Sequence, residues 1–238
     1  MTAAKKYKTL PDALTILRNI PCEQRDAELA QQEAQRQETA NYERFTHCGV
    51  PPRYWRESFD TFVTADANGA ILQPKRALLD MMQNDFMTDV RAGGAPFIAL
   101  LGNCGTGKTH LAASALREVS GCFRLSSAIV AELRQAHSYS SHTSESAVLR
   151  EYALPRLLVI DEVGRSDNAA EEKYMLYQIL NARYNVEKPL IITANMTKKE
   201  FVEYIGTAAV DRFTECGRIH ELNWASYRLT LRRNREGK

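Results

Sequence analysis

Four short apolar runs stand out from a polar background, and their order predicts a sheet of parallel strands. Pro96-Phe97-Ile98-Ala99-Leu100-Leu101, Cys122-Phe123-Arg124-Leu125, Leu157-Leu158-Val159-Ile160 and Pro189-Leu190-Ile191-Ile192-Thr193-Ala194 read as strands. Near-continuous runs of this length belong to strands covered on both faces. Helical composition fills the intervals: residues 110–116, two short helices within 126–153, and residues 169–185. Strand-helix-strand order needs crossover connections, hence parallel pairing and an α/β architecture. Upstream, residues 71–91 predict a further helix that ends at Ala92-Gly93-Gly94. Residues 23–44 hold no Gly or Pro and predict a helix whose apolar side, Ala27, Leu29, Ala30 and Ala34, is thin. That side suits a partner, the chain's own core or a solvated spacer. Cys48-Gly49-Val50-Pro51-Pro52 then stops the helix and forces extended chain.

The chemistry sits at the strand ends. After the first strand comes Gly102-Asn103-Cys104-Gly105-Thr106-Gly107-Lys108-Thr109-His110, which matches Gly-x-x-x-x-Gly-Lys-Thr at every fixed position. Such a loop turns backbone N–H groups around phosphates, extends a lysine, here Lys108, toward the β- and γ-phosphates, and offers a hydroxyl, here Thr109, to Mg²⁺. A nucleoside triphosphate, ATP with Mg²⁺, is the expected cofactor. Asp161 and Glu162 follow the third run, at the carboxyl end of a buried strand where open α/β sheets bind ligands. Asp161 suits the Mg²⁺ shell beside Thr109, and Glu162 suits the base that polarises water; the same pair also reads as a cap for the next helix. Asn195 ends the fourth run, where an amide can orient water and sense the γ-phosphate, or simply occupy a turn.

Composition narrows the class. The 238 residues suffice for one α/β domain and a small appendage. No run of about eighteen apolar residues and no leader with a hydrophobic core is present, so a cytoplasmic protein without membrane contact is expected. Five cysteines at irregular spacing define no disulfide framework or Cys-x-x-Cys pair, and Cys22, His47 and Cys48 are scattered candidates, either zinc ligands or ordinary buried or surface side chains. A net charge of +2 leaves any nucleic-acid contact to local charge. Arg124, Arg134, Arg150 and Arg156 bracket the segment 126–153, whose middle, His137-Ser138-Tyr139-Ser140-Ser141-His142-Thr143-Ser144, is polar. There Tyr139 and His142 suit base stacking while the arginines meet phosphate, or the whole stretch is a solvated loop.

The succession of this phosphate loop, Asp161-Glu162, Asn195, Val210-Asp211-Arg212-Phe213 and Ser226-Tyr227-Arg228 resembles AAA+ ATPases of the DnaC/IstB group, over roughly residues 45–230. The resemblance implies a three-layer P-loop AAA+ ATPase domain with a central parallel sheet, residues 49–238. A small helical, helicase-binding N-terminal region, residues 1–48, would precede it. It implies that Arg212 is an arginine finger on the nucleotide of an adjacent subunit, and Arg228 the second sensor. Arg suits both roles, being always charged and forked. The implied partners are a DnaB-type hexameric helicase, single-stranded DNA and, with ATP bound, further copies of this chain.

The link Gly49-Val50-Pro51-Pro52-Arg53 and the tail Leu222-Asn223-Trp224-Ala225-Ser226-Tyr227-Arg228 are similar to those of DnaC-like loaders. The expected function is therefore ATP-dependent loading of a DnaB-type replicative helicase onto single-stranded DNA at replication initiation. An IstB-like transposition helper shares all the ATPase motifs, and a nucleotide-switched adaptor with little hydrolysis is the third alternative. Ala208 stands where similar loaders often carry a second arginine, four residues before the finger. The link aromatics, Phe59 and Phe62 among them, either flank the adenine or join the core. A C-terminal helical lid is not expected, since little chain follows Arg228.

Overall fold

The computed structural model describes residues 22–66, 68–138 and 143–228. Helix α1 spans Cys22–Cys48, and the contacts of the chain divide into two compact units between Tyr42 and Glu43. In the first unit, residues 26–40 are exposed along the helix.

The second unit is built on a five-stranded parallel sheet. Its strands are β1 (Phe97–Gly102), β2 (Cys122–Leu125), β3 (Leu158–Val163), β4 (Leu190–Ala194) and β5 (Gly217–Leu222), in the order β2-β3-β4-β1-β5. The first four match the apolar runs. The fifth is an edge strand whose Gly-Arg-Ile-His-Glu-Leu sequence carries polar side chains at half-buried positions, so it has no apolar run to betray it.

Helices cover both faces because alternate residues of each strand serve opposite layers. Ile98 and Leu100 of β1, Val159 of β3 and Ile191 of β4 pack into one core with α2 (Gln73–Asp80), α3 (Met87–Ala92) and α4 (Lys108–Glu118). Phe97, Ala99 and Leu101, with Leu158, Ile160, Leu190 and Ile192, pack into the other. That second layer is α5 (Ser126–Ala136), α6 (Glu145–Ala153), α7 (Ala169–Asn185), α8 (Lys198–Ile205) and α9 (Thr207–Cys216). The predicted three-layer arrangement is therefore present. The 71–91 helix differs in one respect: α2 and α3 are joined by a π-turn, Met81–Phe86, which widens the spiral while keeping Met82 and Phe86 buried. Gly93, at φ +94°, closes α3 with its N–H shared between Asp89 O and Val90 O.

One buried side chain helps position the strand ends. The fully buried Arg183 of α7 donates to the carbonyls of Tyr152, Ala153, Pro155 and Pro189, tying the exit of α6 to the entry of β4. Burial holds its guanidinium down to about 9. Helices α5 and α6 flank the polar stretch as predicted, but Tyr139 and His142 lie outside the described residues.

Candidate nucleotide site

The carboxyl ends of β1, β3 and β4 open into one cleft of about 450 Å³. Cys104, Gly105, Thr106, Gly107, Lys108, Thr109, His110, Glu162, Asn195 and Arg228 all line it. Residues up to 124 positions apart in the chain are thus brought to one place by the parallel order of the sheet.

The loop's shape follows from its glycines. Gly107 sits at φ +99°, and a Cβ there would come within 2.5 Å of the Phe62 ring. Gly105, at φ +81°, would collide with the Ser226 hydroxyl if it carried a side chain. Helix α4 begins at Lys108, and no side chain caps its N-terminus. The first-turn N–H groups are therefore left for an anion, with the helix dipole behind them. Lys108 is buried; its Nζ donates at 2.7 Å to both Gly102 O and Asn103 O. Thr106 Oγ1 donates to Asn103 O at 2.9 Å. Burial pushes the Lys108 ammonium down in pKa; Cys104 and Asp161 oppose this, and Arg228 and Arg165 reinforce it.

Asp161 is 4% exposed and sits beneath the loop. Thr109 Oγ1 donates to its Oδ1 at 3.0 Å, and the Thr193 hydroxyl donates to the same oxygen. Burial raises the pKa of Asp161, while these two hydroxyls and Lys108 work against the rise and Glu162 adds to it. Pairing of β3 with β4 slips between Ile160 and Val163, and within this bulge Glu162 takes φ +59°. A non-glycine residue in that region is strained, and strain of this kind gathers at functional sites. The bulge turns Glu162 outward to solvent next to buried Asp161. Thr193 Oγ1 also accepts the Glu162 N–H at 3.2 Å. Behind them, buried Glu172 accepts from the Gly164 N–H at 3.2 Å and from the hydroxyls of Ser126 and Tyr204, which pins the exit of β3.

The two ends of the domain meet at the loop. His110 Nε2 bonds Ser58 O at 2.8 Å, its Nδ1 lies 3.0 Å from Glu57 Oε2, and Phe62 packs edge-on against its ring. His110 thus ties the loop to the segment that follows the proline link. From the other end, Trp224 Nε1 donates to Thr106 O and the Tyr227 N–H to Gly105 O, both at 2.9 Å. This docking brings Arg228 to the cleft. Of the link aromatics, Phe59 and Phe62 both belong to the core, and Tyr54 and Phe62 also line the cleft.

Arg212 is not brought to this cleft. On α9 its Nη1 donates to Ala208 O at 2.9 Å and its Nη2 to Asn181 Oδ1 at 2.6 Å, over the α7 side of the second layer. Two cleft residues, and an indole bonded to the phosphate loop, were not singled out as site residues in the sequence. Thr193 lay inside an apolar run, Lys75 inside an amphipathic helix, and Trp224 in a tail whose contacts only the fold reveals. A threonine interrupting Ile191-Ile192-Thr193-Ala194 is the one sequence signal among them, because a buried hydroxyl needs a partner.

Among the described residues no cluster of three or more His, Cys, Asp or Glu is placed to hold a metal, and no helix is long and apolar enough to cross a membrane. Buried Cys48 and exposed His47 sit at the end of α1, where His47 Nδ1 bonds Glu43 O; the Cys22 side chain lies outside the described ones.

A family model described as IstB-like ATP binding protein matches residues 25–235. The chain belongs to that family. It is 27% identical over 192 residues to the replicative helicase loader DnaC of Escherichia coli (strain K12), a match covering 77% of this chain and 74% of the relative. It is 32% identical over 151 residues to an insertion sequence IS5376 putative ATP-binding protein of Geobacillus stearothermophilus, covering 59% of each. A crystal structure of the DnaC helicase loader superposes with a TM-score of 0.59 at 18% identity, covering 73% of this chain and 100% of that one. The fold is the AAA+ fold, and the family is one of ATP-binding proteins that takes in both DnaC-type loaders and insertion-sequence ATP-binding proteins.

Proposed function

We propose that this protein is an ATPase that loads a DnaB-type hexameric helicase onto single-stranded DNA. The observation that carries the reading is the double attachment of the phosphate loop: His110 ties it to the N-terminal link, and Trp224 and Tyr227 tie it to the C-terminal tail. A change at the phosphates is felt at both ends of the domain, as a nucleotide-switched assembly requires. Similarity to DnaC over most of both chains adds to it.

In this reading ATP lies along the cleft with its phosphates at the N-terminus of α4. Lys108 exchanges its two loop carbonyls for phosphate oxygens. Thr109 and Asp161, a hydroxyl and a carboxylate in contact, are the hard oxygen donors Mg²⁺ prefers. Held there, the ion would supply positive charge to the β- and γ-phosphates. Glu162, turned out of the sheet by its bulge, accepts a proton from the attacking water, and Asn195 on the neighbouring strand orients that water. Arg228 neutralises charge on the γ-phosphate from within the subunit; Arg212 does so on the nucleotide of the next copy. Residues 1–48 capture the helicase and residues 49–238 form the ATPase.

The test is capture of purified DnaB-type helicase by the full chain and by a chain lacking residues 1–42, which keeps the buried Phe45 and Cys48, with ATP or ADP. Nucleotide-dependent capture by the full chain alone supports the reading. Equal capture by the truncated chain moves the docking surface to the ATPase domain, and no capture in any state overturns the loader. The 32% identity to the IS5376 protein favours a second reading, a transposition helper. That reading gains if the chain instead binds duplex DNA with ATP and ignores helicase.

A further inference from the structure

Lys75 lies in the first turn of α2 and is 6% exposed. It lines the same cleft as the phosphate loop. Its ammonium makes one long hydrogen bond, 3.4 Å to Val63 O, and forms no ion pair among the described residues. Burial presses its pKa down, with Asp66 opposing. Stability does not account for such a group. A buried ammonium without an ion pair is costly, and the N-terminus of a helix is the unfavourable end for a cation. An ammonium also carries three donors, of which Val63 engages one.

The surroundings say what the free donors face. Trp224 Nε1 bonds Thr106 O of the phosphate loop, while its ring lies 5.9 Å from Lys75 Nζ. Lys75 is therefore about one indole away from the phosphate loop. Tyr54 and Val63 line the cleft with Lys75, and Phe62, packed against Gly107 and His110, continues this apolar and aromatic wall, which suits a flat ring rather than phosphate. With phosphates at Lys108, the opposite end of the nucleotide lies here.

We propose that Lys75 reads the base of the bound nucleotide, donating to an acceptor on the edge of a purine that the shorter pyrimidines do not reach. The proposal rests on the nucleotide reading of this cleft and adds the residue that selects the base. Lys75 accepts its cost in the free protein in exchange for a charged hydrogen bond in the complex.

The test compares wild type with Lys75→Met and Lys75→Gln, measuring binding of ATP, dATP, GTP and CTP by calorimetry and of inorganic tripolyphosphate by competition. Lys75→Met is expected to lose about tenfold in affinity for ATP, dATP and GTP alike, to keep its affinity for tripolyphosphate, and so to level the preference for purine over CTP. Lys75→Gln, which retains an N–H donor, should fall between. In the free protein Lys75→Met should melt no lower than wild type, since it replaces an unpaired buried charge by an apolar side chain of similar length. An unchanged ratio of ATP to CTP affinity in Lys75→Met overturns the proposal, as does a loss confined to ATP and absent with dATP, which would assign Lys75 to the ribose. A parallel fall in tripolyphosphate binding or a lower melting temperature would make the lysine structural. Lys108→Ala separates the two levels. If wild type binds no nucleotide and Lys108→Ala changes nothing, the nucleotide reading itself fails; if Lys108→Ala abolishes binding while Lys75→Met leaves base preference intact, only this inference fails.

Discussion

Asn181 on α7 holds Arg212 of α9 through a 2.6 Å hydrogen bond from Nη2 to its amide oxygen. Tyr177 and Tyr184, on the same helix, place their ring centres 5.6 Å from the guanidinium, and Nε is buried without a hydrogen-bond partner. An arginine kept this way is partly unsatisfied and stands apart from its own subunit's cleft. We expect this arginine to complete the site of a neighbouring copy.

From that relationship, Arg212→Ala should bind ATP as well as wild type yet lose DNA-stimulated hydrolysis, by on the order of 10³-fold where the finger carries transition-state charge. Mixing it with Lys108→Ala should restore part of the rate, since some junctions then pair an intact loop with an intact arginine. Steady-state ATPase assays across mixing ratios provide the check. Folded, co-assembling mutants that never complement would show that Arg212 acts within its own subunit or only in packing.

Lys108 and Glu162 should separate binding from chemistry. Lys108 is the cation inside the loop, so Lys108→Ala should abolish binding of a fluorescent ATP analogue. Glu162→Gln leaves Lys108, Thr109 and Asp161 in place, so it should retain the analogue and slow hydrolysis by about 10²-fold or more. The same loss of binding in both variants would mean that the roles are wrongly divided.

Thr193 deserves a mutation of its own, because one hydroxyl serves both acids: it donates to Asp161 and accepts the Glu162 N–H. Thr193→Val keeps the shape and leaves a buried carboxylate short of a donor. Stability should drop by about 1–3 kcal/mol in urea denaturation. Hydrolysis should slow by about 10–100-fold, as for other groups that orient a metal ligand. A stable variant with normal turnover would show that Thr109 alone is enough to orient Asp161.

Much of this site was legible because its motifs fall at the ends of apolar runs. The bounds of α7 agree with the 169–185 prediction, helped by Asn168, whose side chain accepts the N–H groups of Ala170 and Glu171. A comparable signal, the capping box of Thr197 and Glu200, marks the start of α8 and needs only the local sequence to be found. Other features have no local signature. The π-turn at Met81–Phe86 leaves the apolar spacing of residues 71–91 looking like one helix. The positive φ of Glu162 depends on how β3 pairs with β4, and the burial of Lys75 on where Trp224 returns to the loop. Strand β5 hides for the opposite reason: an edge position lets Arg218 and His220 occupy a strand without an apolar run.

His220 on that edge strand supports a prediction about pH. Its Nε2 is buried without a hydrogen-bond partner, and its pKa is lowered by burial first, then by the charges of Arg218 and Lys198. The unfolded chain therefore takes up a proton at this histidine near the ordinary value of 6.5, whereas the folded chain resists until the pH is lower. Protons bind the unfolded state preferentially across that window, so stability is full above about pH 6.5 and is lost as the pH falls toward the folded value. Replacing the imidazole by a ring that does not titrate removes this contribution while filling similar space. His220→Phe should consequently gain on wild type in melting temperature as the pH is lowered from 7.5 to about 5. Parallel melting curves for the two proteins over that range would show that His220 titrates alike in the folded and unfolded chains, and that acid sensitivity arises at other groups.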